Sequence, residues 1–277
     1  MGEHPECAWA PVAQCRANWF CGASGDPRIR GRAPDPGAFW GEKLIAKVAE
    51  NIVSATQESP RGDSISEGVG MYTVIHSFSG RGDGDFPYAG VTLDTAGNLY
   101  GTATEGATGF GTVFKMSFVN SGWVFNTLYI FGNQPDGEYP YSGVARDASG
   151  ALYGTNLLGG RYNAGTVYQL RPSPRIPPSE MSLWTENIIH SFTGGSDGSF
   201  PASEPVFDSA GNLYGTTMYG GVDFGTVFKL TPSKGAWPET VLYTFTGKSD
   251  GDNPLANVVL DGVGNVYGTT TNAGAYG

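Results

Sequence analysis

Asn-Leu-Tyr-Gly-Thr, residues 98–102, returns as Ala-Leu-Tyr-Gly-Thr at 151–155, Asn-Leu-Tyr-Gly-Thr at 212–216 and Asn-Val-Tyr-Gly-Thr at 265–269. Its tyrosines, Tyr100, Tyr153, Tyr214 and Tyr267, lie 53, 61 and 53 residues apart. A period near 50 residues marks a repeat architecture, in which each unit is too small to bury its own core and must stack on its neighbours. Working outward, each unit opens on an Asp-Gly with a following Pro: Asp83-Gly84 with Pro87, Asp136-Gly137 with Pro140, Asp197-Gly198 with Pro201, Asp250-Gly251 with Pro254. An apolar stretch then ends in Asp-x-x-Gly at Asp94, Asp147, Asp208 and Asp261. After the Tyr-Gly-Thr segment come Gly-Thr-Val-Phe/Tyr (111–114, 165–168, 225–228) and a Trp eight residues ahead of a Phe: Trp123 and Phe131, Trp184 and Phe192, Trp237 and Phe245.

Segments such as 212–217, 225–230 and 237–245 are rich in aromatic and β-branched residues and bounded by Gly, Pro and Asp, which is the signature of strands. None keeps a helical apolar spacing over a useful length. Asp-x-x-Gly fits a hairpin loop, because Asp bonds backbone amides inside the turn and Gly accepts positive φ. The third unit thus reads as strand a (Pro205–Asp208), b (Asn212–Thr217), c (Gly225–Leu230) and d (Trp237–Phe245). Four antiparallel strands per unit is the blade of a β-propeller, so the expected fold is all-β, a propeller-like array of three complete blades and one partial. Tyr72–Phe78 matches strand d alone, and the fourth unit stops after strand b. The array reads as a piece of a longer one, with a compact four-blade ring as the alternative.

Residues 1–70 do not join the repeat, giving a domain division of 1–70 and 71–277. Within this leader, 39–57 reads as one amphipathic helix with Leu44, Ile45, Val48 and Ile52 on its apolar stripe. The remainder is Pro, Gly and charge, a composition that resists folding, and it lacks the pattern of a secretory signal. Cys7, Cys15 and Cys21 all fall here, at a spacing that matches no zinc motif. A formal net charge of −10 speaks against nucleic acid as a partner. No stretch of 18 or more apolar residues is present, so no membrane-spanning helix is expected.

The combination of Asp208–Thr217, Gly220-Gly221 and Gly225–Pro232 with the Phe-Thr-Gly-Gly and Asp-Gly segments resembles the bacterial GloVer tandem repeat, the choice-of-anchor tandem repeat proteins. The resemblance spans 71–277. It implies an exported protein, often fixed to the cell surface, and supplies no catalytic residue or substrate.

Chemistry on a repeat scaffold should appear as a polar residue that breaks the repeat. His76 and His190 occupy the slot of Tyr129 and Tyr243, so they read as packing residues between blades, and His4 lies in the leader. No Ser-His-Asp, Cys-His or His-x-x-x-His pattern appears. The Asp-Gly loops place Asp83, Asp136, Asp197 and Asp250 at equivalent edges of successive units, where turn formation is the main reading and calcium the alternative. The Arg-Gly-Asp triplets at 61–63 and 81–83 read as chance, and Trp123, Trp184 and Trp237 as packing ahead of sugar-stacking platforms. The reading that results has no assigned catalytic or cofactor residue: a non-enzymatic secreted or cell-surface module offering loops to protein or glycan. The alternative is a carbohydrate-active hydrolase or lyase seeded by the non-repeated acids Glu105, Glu138 and Glu204.

Overall fold

The computed structural model describes residues 73–106, 108–132, 135–173 and 184–274. The leader and the helix expected at 39–57 lie outside the described residues. Every regular element that is described is a strand, and all pairing is antiparallel. The first unit contains β1 (Thr92–Leu93), β2 (Leu99–Ala103), β3 (Thr112–Val119) and β4 (Gly122–Ile130), joined in that order into one sheet. The second contains β5 (Gly137–Glu138), β6 (Ala145–Arg146), β7 (Leu152–Asn156), β8 (Leu158–Gly159), β9 (Thr166–Pro172) and β10 (Trp184–Ser191). Strands β6, β7, β9 and β10 form its four-stranded sheet, while β5 pairs with β8. In the third, β11 (Ser199–Pro201) and β12 (Val206–Phe207) both pair with β13 (Leu213–Tyr219), followed by β14 (Thr226–Leu230) and β15 (Glu239–Thr244). The fourth supplies the hairpin β16 (Val259–Leu260) and β17 (Val266–Tyr267). None of these sheets closes on itself.

Two expectations change. Strand a shrinks to two residues, because the Asp that follows it turns the chain at once. Of the segment Tyr72–Phe78, expected as a lone strand d, the described part, 73–78, pairs with no strand among the described residues, although Ile75 and Phe78 pack against the core cluster of the first unit. A short pairing not foreseen from sequence recurs four times in one register: Asp85 with Glu105, Glu138 with Leu158, Ser199 with Tyr219, and Asp252 with Asn272.

The Asp-x-x-Gly-Asn-Leu-Tyr phrase is one hydrogen-bonded device. Asp94 Oδ1 accepts from the Ala96 and Asn98 amides, and its Oδ2 from Asn98 Nδ2 and the Tyr100 hydroxyl. Asp208 repeats this with Ala210, Asn212 and Tyr214, and Asp261 with Val263, Asn265 and Tyr267. At Asp147 the missing Asn is replaced by the Ser149 hydroxyl. Burial opposes ionisation of Asp94, yet the Asn98 and Tyr100 bonds win and hold its pKa at about 2.

The Gly of Tyr-Gly-Thr makes room for an aromatic ring of strand c. A Cβ on Gly215 would lie 2.6 Å from Phe228 Cζ, one on Gly101 2.6 Å from Phe114 Cζ, and one on Gly154 2.2 Å from the Tyr168 hydroxyl. Gly215→Ala is therefore expected to destabilise the protein by about 1–3 kcal/mol through overpacking. Gly90→Ala, whose Cβ would meet nothing within 4 Å, serves as the control. Equal denaturation midpoints for the two variants would refute the steric reading.

Successive units are tied by the remaining motif residues. The Thr hydroxyls of Thr102, Thr155 and Thr216 donate to the carbonyls of Ser142, Ser203 and Pro254, each in the next unit. The amides of Tyr139, Phe200 and Asn253 donate back to the carbonyls of Phe110, Ala164 and Phe224. Gly111, Gly165 and Gly225 lie so close to the rings of Pro140, Pro201 and Pro254 that a Cβ would approach Cδ within 2.4, 2.3 and 2.7 Å. Apolar packing follows the same seams. One cluster joins Tyr100 and Val113 of the first unit to Leu152, Tyr168 and Leu170 of the second; another joins Tyr153 and Val167 to Leu213, Phe228 and Leu230.

Candidate functional site

The seam between successive d strands gathers the titratable groups. Two residues before the terminal phenylalanine of each d strand stands His76, Tyr129, His190 or Tyr243. Seven residues later comes the Asp of the next Asp-Gly turn, and the chain reversal brings the pair together. Asp83, Asp197 and Asp250 accept from the backbone amides of Ser79, Thr193 and Thr246 and from their hydroxyls; Asp136 accepts from the Gly132 amide. These bonds define the turn role of the four aspartates. His76 Nε2 is 3.3 Å from Asp83 Oδ2, Tyr129 donates to Asp136 at 3.2 Å, and Tyr243 donates to Asp250 at 3.0 Å. His76 stacks on Phe125 at 4.0 Å, while His190 lies edge-on to Phe192 of its own unit and faces Glu239 of the next.

The sequence reading overlooked the third member of the seam. Two residues after the d-strand tryptophan stand Phe125, Glu186 and Glu239, each facing the preceding unit. Phe125 gives His76 an apolar lid. Glu186 instead reaches the Tyr129 hydroxyl at 3.5 Å and faces Asp136. Burial first, then the Asp136 hydrogen bond and charge, push the Glu186 carboxyl far above its ordinary value of 4.5. Burial, the Glu186 charge and the Asp136 charge likewise raise the Tyr129 phenol. In the next seam Glu239 is pushed up to about 7 by burial and then by Asp197, while burial lowers His190 against the opposing pull of Asp197. Phe-to-Glu replacement at a fixed repeat position was the available signal.

Among the described residues, one group of three or more His, Cys, Asp or Glu side chains has ligand atoms close enough to share an ion: His190, Asp197 and Glu239, all within 4.8 Å. Asp83, Asp136 and Asp250 belong to no such group. The non-repeated acids are dispersed. Glu105 lies in the short pairing with Asp85. Glu138 sits on β5 with its carboxyl raised by burial and then by Asp136. Glu204 is raised by burial against an opposing bond from Asn257, 3.4 Å away. The Arg81-Gly82-Asp83 triplet is part of a turn closed by the Gly84 amide on the Arg81 carbonyl, and the triplet at 61–63 lies outside the described residues. Trp237 meets the Tyr153 ring of the preceding unit at 5.8 Å and Trp184 packs against the cluster shared by the first two units, whereas the Trp123 ring meets Phe118 of its own unit at 5.5 Å.

Beside Trp237 a shallow cleft of about 480 Å³ opens between neighbouring hairpins, with Arg146, Asp147, Tyr153, Phe207 and Asp208 on its walls. No described helix is long and apolar enough to cross a membrane. The model of a bacterial repeat, described as the Gloeobacter/Verrucomicrobia repeat, matches residues 64–277. No curated protein matches the chain.

Proposed function

Because the chain belongs to the Gloeobacter/Verrucomicrobia repeat family, we propose that it is a non-enzymatic binding or scaffold module, exported to the cell surface and built as a β-propeller-like array. The observation that carries this reading is the employment of the recurring side chains. The Asp and Tyr of each hairpin, the Thr and both Gly motifs, and the seam residues are spent on turn closure or on docking one unit to the next. Side chains committed in successive units to architecture leave recognition to the variable surface, and the Trp237 cleft offers one place for a glycan or a protein loop, with aromatic rings beside Arg146, Asp147 and Asp208.

The propeller-like arrangement is supported by one equivalent position in all four units. Gly90, Gly143, Glu204 and Asn257 each follow the unit's first Asp by seven residues. A Cβ on Gly143 would lie 2.5 Å from Glu204 Oε2 and 3.4 Å from the Gly90 carbonyl, and the Glu204 amide donates to Asn257 Oδ1 at 2.8 Å. Equivalent points of successive units converge, as they do near a propeller axis.

The alternative, a carbohydrate-active enzyme, draws on the raised carboxyls of Glu138 and Glu204. Incubation with a panel of bacterial and plant polysaccharides is expected to release no reducing ends or unsaturated products above buffer. Intact cells of the source bacterium treated with protease are expected to lose the protein. Release that disappears in Glu204→Gln or Glu138→Gln would replace this reading with the enzyme, and full protection from protease would overturn the surface location.

A further inference from the structure

The three seams between d strands solve the same problem in different ways. At the first, His76 bonds Asp83, and Phe125 stacks on the His76 ring where the other two seams carry a glutamate. At the second, the longer Tyr129 side chain reaches both Asp136 and Glu186. At the third, the shorter His190 stops short: its Nε2 is 3.5 Å from Glu239 Oε2 and 3.9 Å from Asp197 Oδ2. His190 Nε2 and Glu239 Oε1 are shut off from solvent and have no hydrogen-bond partner. Glu239 retains only 11% side-chain exposure. Buried polar atoms without partners are unfavourable and rare, so each calls for an explanation.

We propose that His190, Asp197 and Glu239 form a divalent transition-metal site of the zinc class, which clamps the d strand of the second unit to that of the third. The donor set is one imidazole nitrogen and two carboxylates. The imidazole favours a first-row transition metal over calcium or magnesium, which take oxygen ligands. Zinc bonds of ~2.0–2.1 Å in tetrahedral geometry hold donors about 3.3–3.4 Å apart. The two separations from His190, 3.5 and 3.9 Å, are close to that spacing, and the third, within 4.8 Å, closes to it by a movement of the Glu239 carboxylate toward Asp197. Asp197 is already oriented for it, since the Thr193 amide and hydroxyl hold its carboxylate, as hydrogen-bond donors behind a ligating carboxylate do in metal sites. The three ligands come from β10, the turn after it, and β15, so the ion bridges elements distant in sequence. A fourth position is left for water.

The decisive substitution is His190→Tyr, which installs the arrangement already present at Tyr129 and so removes the ligand while supplying a hydroxyl that bonds both acids. The full chain is used with Cys7, Cys15 and Cys21 replaced by Ser, because those thiols could take zinc themselves. After chelator treatment and dialysis, zinc titration is expected to show one equivalent bound in the parent and one fewer in His190→Tyr and in Glu239→Gln. The parent's thermal midpoint should rise by about 5–10 °C at zinc concentrations near one hundred times Kd, and neither variant's should. Circular dichroism of the two variants establishes that they are folded, and either one alone suffices for the comparison. Zinc stoichiometry unchanged by both substitutions, or no zinc bound by the parent, overturns the site.

Discussion

Phe228→Ala is expected to lower the unfolding free energy by about 3–5 kcal/mol. Phe228 is fully buried on β14, and its ring meets that of Phe192 at 5.2 Å. It also occupies the space left by the absent Cβ of Gly215. Truncation would open a cavity that strands paired on both sides cannot collapse to fill. The ring is shared: its cluster includes Tyr153 and Val167 of the second unit. A loss this large is a substantial part of the ordinary stability of a domain. Urea denaturation followed by tryptophan fluorescence checks it, and a midpoint within experimental error of the parent would contradict it.

Glu186→Gln is expected to make the protein more stable at pH 8, by on the order of 2 kcal/mol or more, and to flatten its stability over the neutral to alkaline range. The groups facing Glu186 are Asp136, Tyr129 and Tyr168, none of them cationic. The folded-state pKa of Glu186 lies above its ordinary 4.5, so the folded protein holds this proton more tightly than the unfolded chain does. Its stabilising contribution is complete below pH 4.5 and is lost as pH rises through the folded value. Gln keeps the shape and stays neutral, so the difference between variant and parent should grow with pH. The hairpin aspartates work in the opposite direction. Asp94 and Asp261, held at about 2 in the fold, contribute above the ordinary 3.8 and lose that contribution as pH falls through about 2. Thermal midpoints of parent and variant from pH 4 to pH 9 isolate the Glu186 effect, because the aspartates titrate below that range. A difference that does not change with pH would show that Glu186 is not a buried acid.

Much of this was legible in the chain because the repeat compares four copies of the same solution. Strands b and c, the Asp-x-x-Gly hairpin and the packing of Trp237 on the preceding unit follow from residue types with strong local preferences. The short pairings at Glu138–Leu158 and Ser199–Tyr219 did not, since Asp-Gly-x-x-Pro carries the signature of a turn. Tyr139, Phe200 and Asn253, just ahead of those prolines, have φ of 59°, 55° and 51°. Such left-handed geometry in non-glycine residues is set by docking, their amides bonding the preceding unit. The described part of Tyr72–Phe78 shows a related limit: a strand-like sequence becomes a strand only where a partner edge is present.

The seam was hidden for a different reason. Aligning His190 with Tyr129 made the two look interchangeable, and in packing they are. What distinguishes them is reach, and reach mattered only because Glu186 and Glu239 stand opposite where Phe125 stands in the first unit. A contact across units is invisible to a comparison made position by position within them.

The central claim is that neighbouring units share one core and lend each other stability. Native-state hydrogen exchange, read by mass spectrometry on Phe228→Ala and its parent, tests that claim most directly. The account requires peptides covering 152–172 of the second unit to lose protection along with those covering 213–230 of the third. Loss confined to 213–230, with the second unit as protected as in the parent, would mean that the units are independent modules and would contradict it.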